Sequence, residues 1–348
     1  MASMMKAVVF HQQGGPEALR FEDVPRPEAG PGEAVIRVLA CGANNLDLRV
    51  REGRVPGKIP MPHISGSEAA GEIAELGTGV TSFSVGQAVA IAPYLFCGQC
   101  EFCQAGAENQ CMRGDILGLM SQGAYAEYVK VPASSLVPLP TGVDAVSAAA
   151  VGLAAITAWH MLTERARVQP GEDVLVHAAG SGVGSAAVQF ARLAGARVIA
   201  TAGSQDKLLR AKQLGADEVI NYNEQDFAQE VRRITNKRGV QVVVEHIGQT
   251  TWEKSVACLG RRGRLVICGT TSGTEGKIDL WGFFAKELSF LGSYGGTRHN
   301  LAQVLKLVAS GQFKPVIHRT FPLESVSEAQ QIMAAREQFG KLIITPTK

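Results

Sequence analysis

This 348-residue chain has no apolar run long enough to cross a bilayer. The apolar stretch Ala145 to Ile156 is rich in Ala and Gly, is interrupted by Ser147, and falls well short of the roughly 20 residues that a span needs. An excess of charge is missing as well. The 34 basic and 32 acidic residues are spread throughout and leave a formal net charge of +2. No basic face is therefore offered to nucleic acid or to an anionic membrane, and a small molecule is the expected partner. The N-terminus has no basic stretch leading into an apolar signal core; strand-like sequence begins at once with Lys6-Ala7-Val8-Val9-Phe10. A cytoplasmic location is the resulting expectation. Met1 to Met4 precede a further methionine and are set aside as an appended segment outside the fold. Tandem repeats and low-complexity tracts are absent too.

What remains is 46% apolar and 19% charged, enough for two domains with a core each. The first part reads as short strands broken by Gly and Pro: Lys6–Phe10, Leu19–Val24, Ala34–Ala40, Gly71–Leu76, Gln87–Ile91 and Ala124–Val131. These predict an all-β, barrel-like unit. From Asp173 the rhythm becomes strand then helix, with strands at Val174–His177, Arg197–Thr201, Glu218–Asn221, Val240–Glu245, Arg264–Cys268 and Leu288–Gly292. Helices start near Gly182 and Gln205, and a third carries Phe227, Val231 and Ile234 on one face. Parallel strands need crossover connections, so this alternation predicts an α/β unit with a parallel sheet covered on both faces. Helical stretches at Leu301–Ser310 and Glu324–Arg336 and a final strand Leu342–Thr345 are expected to return to the first domain.

The strand Val174–His177 runs into Ala178-Ala179-Gly180-Ser181-Gly182-Val183-Gly184 and then an Ala-rich helix. Glycines at such a turn let the backbone approach a pyrophosphate, while the helix start directs N–H groups and the positive dipole end at it. Tight turns also need Gly for structure alone, but six strands in the right rhythm favour a dinucleotide, with Gly180, Ser181, Gly182 and Val183 in contact. A carboxylate ending the second strand would accept the ribose 2′-hydroxyl of NAD and repel a 2′-phosphate. Here that position is Ala202; Ser204 and Lys207 follow, and Tyr222 closes the third strand, which favours NADP(H). The alternative leaves Lys207 in solvent and gives the carboxylate role to Asp206.

Four cysteines fall on one short segment, Cys97, Cys100, Cys103 and, eight residues on, Cys111. Thiolates at this spacing can close a tetrahedron around Zn²⁺ with no open position, which makes the site structural. Disulfides and an iron–sulfur cluster are the alternatives. Cys41, Cys258 and Cys268 lie in apolar contexts and read as core thiols.

Together these features resemble the medium-chain dehydrogenase/reductase superfamily over essentially the whole chain. The resemblance implies a GroES-like β-barrel domain from residues 1–154 and 294–348, with a structural zinc lobe at 94–114, and a Rossmann doubly wound parallel sheet domain at 155–293. It also favours one structural Zn²⁺ over the other readings of the cysteine lobe. Zinc alcohol dehydrogenases of that superfamily hold a catalytic metal with ligands in a Gly-x-Cys loop, a Gly-His-Glu motif and a third site just before the coenzyme domain. At the equivalent positions this chain has Asn44 in Gly42-Ala43-Asn44, Ser67 in Gly66-Ser67-Glu68, and Leu153. Asn, Ser and Leu do not supply three zinc ligands. Cys41, His63 and Glu68 form a conceivable displaced set, two of them offset by three or four residues, which on a strand or loop points side chains elsewhere. Asn44 with Asp47 instead looks like the quinone oxidoreductase and enoyl reductase branches, which usually lack the four-cysteine lobe.

Without a Lewis acid, stabilising the alkoxide of an unactivated alcohol loses its usual means, and reduction of an electron-poor carbon by NADPH becomes the expected chemistry. By resemblance, Asn44 and Ser67 line the substrate pocket and Thr157 contacts the nicotinamide ribose. Tyr94 either donates to substrate or packs. Gly269, Thr270 and Ser293 end the last strands, where ligands bind in such sheets. His177 and His246 read as core or adenine-side residues. The expectation is an NADPH-dependent reductase of quinones or activated alkenes; the alternatives are a zinc-dependent alcohol or aldehyde dehydrogenase and a non-catalytic NADPH-binding interaction protein. A homodimer, or a tetramer, is implied, because the strand Leu288–Ser293 would be an exposed edge in a monomer.

Overall fold

Alternating Val, Ile and Ala in the strand Glu33–Gly42 make it the centre of the first sheet, with Val35, Ile36, Val38 and Cys41 fully buried. In the computed structural model, which describes residues 3–346, antiparallel partners flank it: Ala69–Leu76 and Tyr128–Pro132. The sheet runs from Leu136–Pro138 through Ala88–Ile91, Ala69–Leu76 and Glu33–Gly42 to Lys341–Thr345 and Ile317–Pro322. The C-terminal strand thus enters the sheet antiparallel to its centre, Ile343 opposite Gly42 and Ile344 opposite Cys41. Ile36, Ile73, Ile91, Leu342 and Ile344 share one core. Each such side chain contributes about 1.5–3 kcal/mol by leaving water. A smaller sheet sets Met4–Phe10 against Arg20–Pro25 and His63–Ile64.

Two expectations are corrected here. Met4 opens a strand, so the segment set aside from the fold reaches into it; Met1 and Ala2 lie outside the described residues. The strand expected at Ala124–Val131 is Tyr128–Pro132, because Tyr125 splits its backbone between Val8, which donates to its carbonyl, and Ser65, whose carbonyl accepts from its N–H.

These elements belong to one of two units, formed by residues up to 156 together with those from 296 on; the other spans 157–295. The second is built on a six-stranded, wholly parallel sheet in the order Glu218–Asn221, Arg197–Ala202, Asp173–Val176, Val240–Glu245, Leu259–Ile267, Ser289–Gly292. Its inner strands are continuous apolar runs, as sheets covered on both faces require: Val174, Leu175, Val176, Val242, Val243 and Val244 are all fully buried. The helix Phe227–Ile234 starts where Asp226 accepts from the N–H of Ala228 and Gln229 (2.9 and 3.1 Å). It buries Phe227 and Val231 against Ile220 and Leu259. The strand order reverses beside Asp173–Val176, the point where sheets of this kind leave a crevice at their carboxyl ends. No helix among the described residues is long and apolar enough to cross a membrane.

Candidate active site

At that reversal the chain turns sharply. Ala178 adopts φ +44°, and Ser181 caps the helix Gly182–Leu193 by accepting from the N–H of Gly184 at 2.8 Å. Gly184 is obligatory here, since a Cβ on it would lie 2.2 Å from the Ala178 carbonyl oxygen. The helix start, with Gly180, Gly182 and Val183, thus presents bare backbone. His246, one residue past the strand Val240–Glu245, sets its Nε2 3.1 Å from Ser181 Oγ. Burial pushes its pKa down to about 4, against the upward pull of Glu245, so the ring is neutral. Among the described residues its Nδ1 has no hydrogen-bond partner, and neither has the buried Oγ of Ser293 beyond the edge strand. Gly269 backs onto the His246 carbonyl, a Cβ there falling 3.2 Å from that oxygen, and Thr270 is next in the chain. A glycine turn on a helix start and unspent polar atoms at the carboxyl ends of the strands fit a dinucleotide.

The second strand ends in a buried Ala202. Ser204 caps the next helix by accepting from the Lys207 N–H at 3.4 Å, and Asp206 lies in its first turn. Tyr222 is exposed, with its hydroxyl where a Cβ on Gly203 would come within 2.6 Å. Asn223 Nδ2 donates to the Gly203 carbonyl at 2.8 Å and holds this corner closed. Thr157 is buried on the helix Ala154–Trp159. His177 belongs to the core. Its Nε2 donates to Ser255 Oγ (2.9 Å), which donates to Glu245 Oε2 (2.7 Å). Glu245 also accepts from Thr251 Oγ1 and from the N–H of Ile247 and Gly248. Burial opposes its charge, yet the neighbouring His177, then the Ser255 hydroxyl and the N–H groups of Ile247 and Gly248, hold it below the usual carboxylate range, while burial lowers His177.

In the cysteine lobe the sulfur separations are 3.9 Å (Cys97–Cys103), 3.5 Å (Cys100–Cys103) and 3.9 Å (Cys100–Cys111), and all four Sγ atoms lie within 4.8 Å of one another. A tetrahedral Zn²⁺ with bonds of about 2.3 Å needs sulfurs about 3.8 Å apart, so this set fits it. The N–H groups of Gln99 and Cys100 point at Cys97 Sγ (3.5 and 3.4 Å) and lower its pKa to about 5, the form a metal binds.

The first unit gathers a different cluster. Asn44 caps the helix Asn45–Arg51 in a capping box, its N–H donating to Asp47 Oδ2 at 2.7 Å. Asn44 Nδ2 reaches Glu68 Oε1 at 2.9 Å and Ser67 Oγ at 3.2 Å, so two of the expected pocket residues do meet. Leu153, the third position, donates its backbone N–H to Glu68 Oε2. Into this cluster comes Lys341, which sequence reasoning missed: its Nζ lies 2.5 Å from Glu68 Oε1 and 2.7 Å from Asn44 Oδ1. Tyr125, also missed, donates to Asp47 Oδ2 at 2.7 Å. Asp47 Oδ1 is buried without a partner among the described residues, and burial raises this carboxyl to about 6 despite the donors on Oδ2. Tyr94 is buried on the strand Tyr94–Leu95, just before the cysteine lobe in the chain.

The conceivable set Cys41, His63 and Glu68 is not assembled. His63 Nε2 donates to the Gly118 carbonyl at 3.0 Å, Glu68 is taken by Lys341 and Asn44, and burial pushes the Cys41 thiol well up, away from thiolate.

Two family descriptions match this chain: an alcohol dehydrogenase GroES-like domain over residues 30–141, and a zinc-binding dehydrogenase over residues 182–310. It is 33% identical to a quinone oxidoreductase of Pseudomonas aeruginosa, covering 99% of this chain and 100% of that protein. A 2-haloacrylate reductase of a Burkholderia species is 32% identical, with 99% of each covered. A solved NAD-dependent alcohol dehydrogenase superposes with a TM-score of 0.95 at 44% identity, covering 99% of this chain and 100% of the other.

Proposed function

Because the chain belongs to the medium-chain dehydrogenase/reductase superfamily of NAD(P)(H)-dependent oxidoreductases, we propose that it is an NADPH-dependent reductase of electron-poor acceptors, quinones or activated alkenes, working without a catalytic zinc. The observation that carries this reading is the Lys341 ammonium, 2.5 Å from the Glu68 carboxylate that holds Asn44. A divalent cation would meet that fixed positive charge and would find an amide and a hydroxyl where thiolate or imidazole ligands are wanted. The names of the two reductase relatives, a quinone oxidoreductase and a 2-haloacrylate reductase, point to the same kind of acceptor.

When bound, NADPH supplies a hydride to the electron-poor carbon, and the displaced electron pair moves onto the conjugated carbonyl oxygen. The turn of Gly180, Ser181, Gly182 and Val183 holds the pyrophosphate with backbone N–H groups and the helix dipole. Ser204, Lys207 and Tyr222 receive the 2′-phosphate; Thr157, Gly269, Thr270 and Ser293 hold the nicotinamide half. Asn44 and Ser67 serve the acceptor, with Tyr94 as a further lining residue. Cys97, Cys100, Cys103 and Cys111 hold one structural Zn²⁺, which takes no part in the chemistry.

The test incubates the purified protein with NADPH and a panel of quinones and enones and follows the loss of reduced-nicotinamide absorbance. If no member of the panel accelerates that loss, the reading fails. A second reading, an NAD-dependent alcohol dehydrogenase, is favoured by the solved structure of that name. It would instead oxidise alcohols with NAD and lose this activity to a chelator that leaves the cysteine lobe loaded.

The assembly we propose is a homodimer through the edge strand Ser289–Gly292, beside which Leu280, Trp281 and Phe284 are exposed on the helix Leu280–Ala285. Trp281→Glu with Phe284→Glu would then shift the mass in solution to that of a monomer.

A further inference from the structure

We propose that Lys341 is a positioning residue for this reaction: through Asn44 it fixes Ser67 as a hydrogen-bond donor to the substrate oxygen that gains negative charge. The inference rests on the reductase reading above. Lys341 enters on the C-terminal strand and is 5% exposed. Its three N–H bonds have three acceptors: Glu68 Oε1 at 2.5 Å, Asn44 Oδ1 at 2.7 Å and the Ala43 carbonyl at 2.7 Å. An ammonium has no further donor, so Lys341 acts only through what it holds.

What it holds is an amide that cannot turn over. Asn44 Oδ1 accepts from the ammonium, and Nδ2 donates towards Glu68 Oε1, Ser67 Oγ and the Gly42 carbonyl (2.9, 3.2 and 3.3 Å). A flipped amide would set NH₂ against the ammonium and oxygen against the carboxylate, two repulsive contacts in a buried place. The charge pair therefore decides which end of the amide faces the serine.

That decision passes to the hydroxyl. Ser67 Oγ receives a hydrogen from Asn44, and among the described residues it has no other hydrogen-bond partner. With the amide the other way round, the serine would spend its own hydrogen on Oδ1. As built, that hydrogen is unspent on a side chain 0% exposed, which a fold tolerates where another acceptor will arrive. A carbonyl oxygen gaining charge is such an acceptor, and in a water-poor place a prearranged donor acts strongly on it. Asn44, at 8% exposure, is the outermost member of the relay.

The experiment uses the full-length protein with its zinc, NADPH and an acceptor that the wild type reduces. Ser67→Ala and Lys341→Met are each expected to lower kcat about 10- to 100-fold, within the range for loss of one prearranged donor or of its support. KM for NADPH should stay within about twofold, because the dinucleotide is held by the other unit. The combination Ser67→Ala with Lys341→Met should be no slower than the slower single variant, since both break one relay. Glu68→Gln with Lys341→Met removes the pair together; it is expected to melt above Lys341→Met, which leaves Glu68 charged and unpaired, and still turn over slowly, which a merely structural lysine would not do. A kcat for Ser67→Ala within about threefold of wild type overturns the inference even if Lys341→Met fails to fold, and so does full activity in the paired variant. A wild type that reduces no acceptor removes the reductase reading itself, and the inference with it.

Discussion

Both units bury polar groups at their candidate sites, but the first sets its charges within the cluster and the second ties its buried carboxylate up in donors. In the first, Lys341 faces Glu68, and Asp47 sits close by with an unpartnered oxygen and a raised pKa. In the second, Ser181, His246, Ser293 and the glycine turn are neutral, and the one carboxylate, Glu245, is closed off by four donors. On the proposed function, the difference follows from what each half would meet. A site for a phosphate-bearing cofactor supplies N–H groups and a helix dipole and keeps carboxylates tied up. A site that must steady charge on an uncharged acceptor needs a fixed electrostatic frame.

The largest expected effect comes from breaking the charged frame. Glu68→Ala leaves Lys341 buried without its carboxylate and should lower unfolding stability by about 3–5 kcal/mol in denaturant titrations. A cost near that of a surface change would mean that the ion pair is not buried as the structure has it. Next come two pH effects of opposite sign. The Asp47 carboxyl is raised from 3.8 to about 6, so the folded chain keeps its proton after the unfolded chain has lost it. This contribution is full below about pH 4 and is lost as the pH rises through about 6, up to about 3 kcal/mol. Asp47→Asn should remove that slope from the melting temperature measured against pH. His246 is lowered from 6.5 to about 4, so the unfolded chain binds a proton first as the medium is acidified. Its contribution is full above pH 6.5 and is lost as the pH falls towards 4, again about 3 kcal/mol at most. His246→Gln should flatten this second slope while leaving the first intact. If one substitution flattens both, the two networks are not separate. The smallest effect is expected for Ser255→Ala, which leaves His177 Nε2 without its acceptor and Glu245 Oε2 with Thr251 Oγ1 as its remaining donor, and should cost about 1–3 kcal/mol.

The second unit was the more legible in sequence. Glu218–Asn221 and Val240–Glu245 fall where the apolar runs place them, and the helix begins at Gly182, because local pattern and tertiary role agree there. The first unit hides more. Ile317–Pro322 was not read as a strand, since His318, Arg319 and Thr320 are exposed at the sheet's edge and break the alternation. The four-cysteine lobe was plain because its ligands are close in sequence. Asn44, Ser67 and Leu153 could be picked out by motif, and the structure draws them together around Glu68. Lys341 could not, because its partners lie almost 300 positions away (|i−j| = 297 to Asn44) and a lone Lys before Leu-Ile-Ile looks like a solvated strand start. Only the antiparallel return of the C-terminal strand beside Gly42 puts that ammonium into the site.

The central claim is that one metal shapes this protein and none does its chemistry, and metal analysis of the purified chain tests it most directly. The account predicts one zinc per chain, falling to none in Cys100→Ser with Cys103→Ser. Two zinc ions per chain, with the second retained in that double variant and lost on Ser67→Ala, would contradict it.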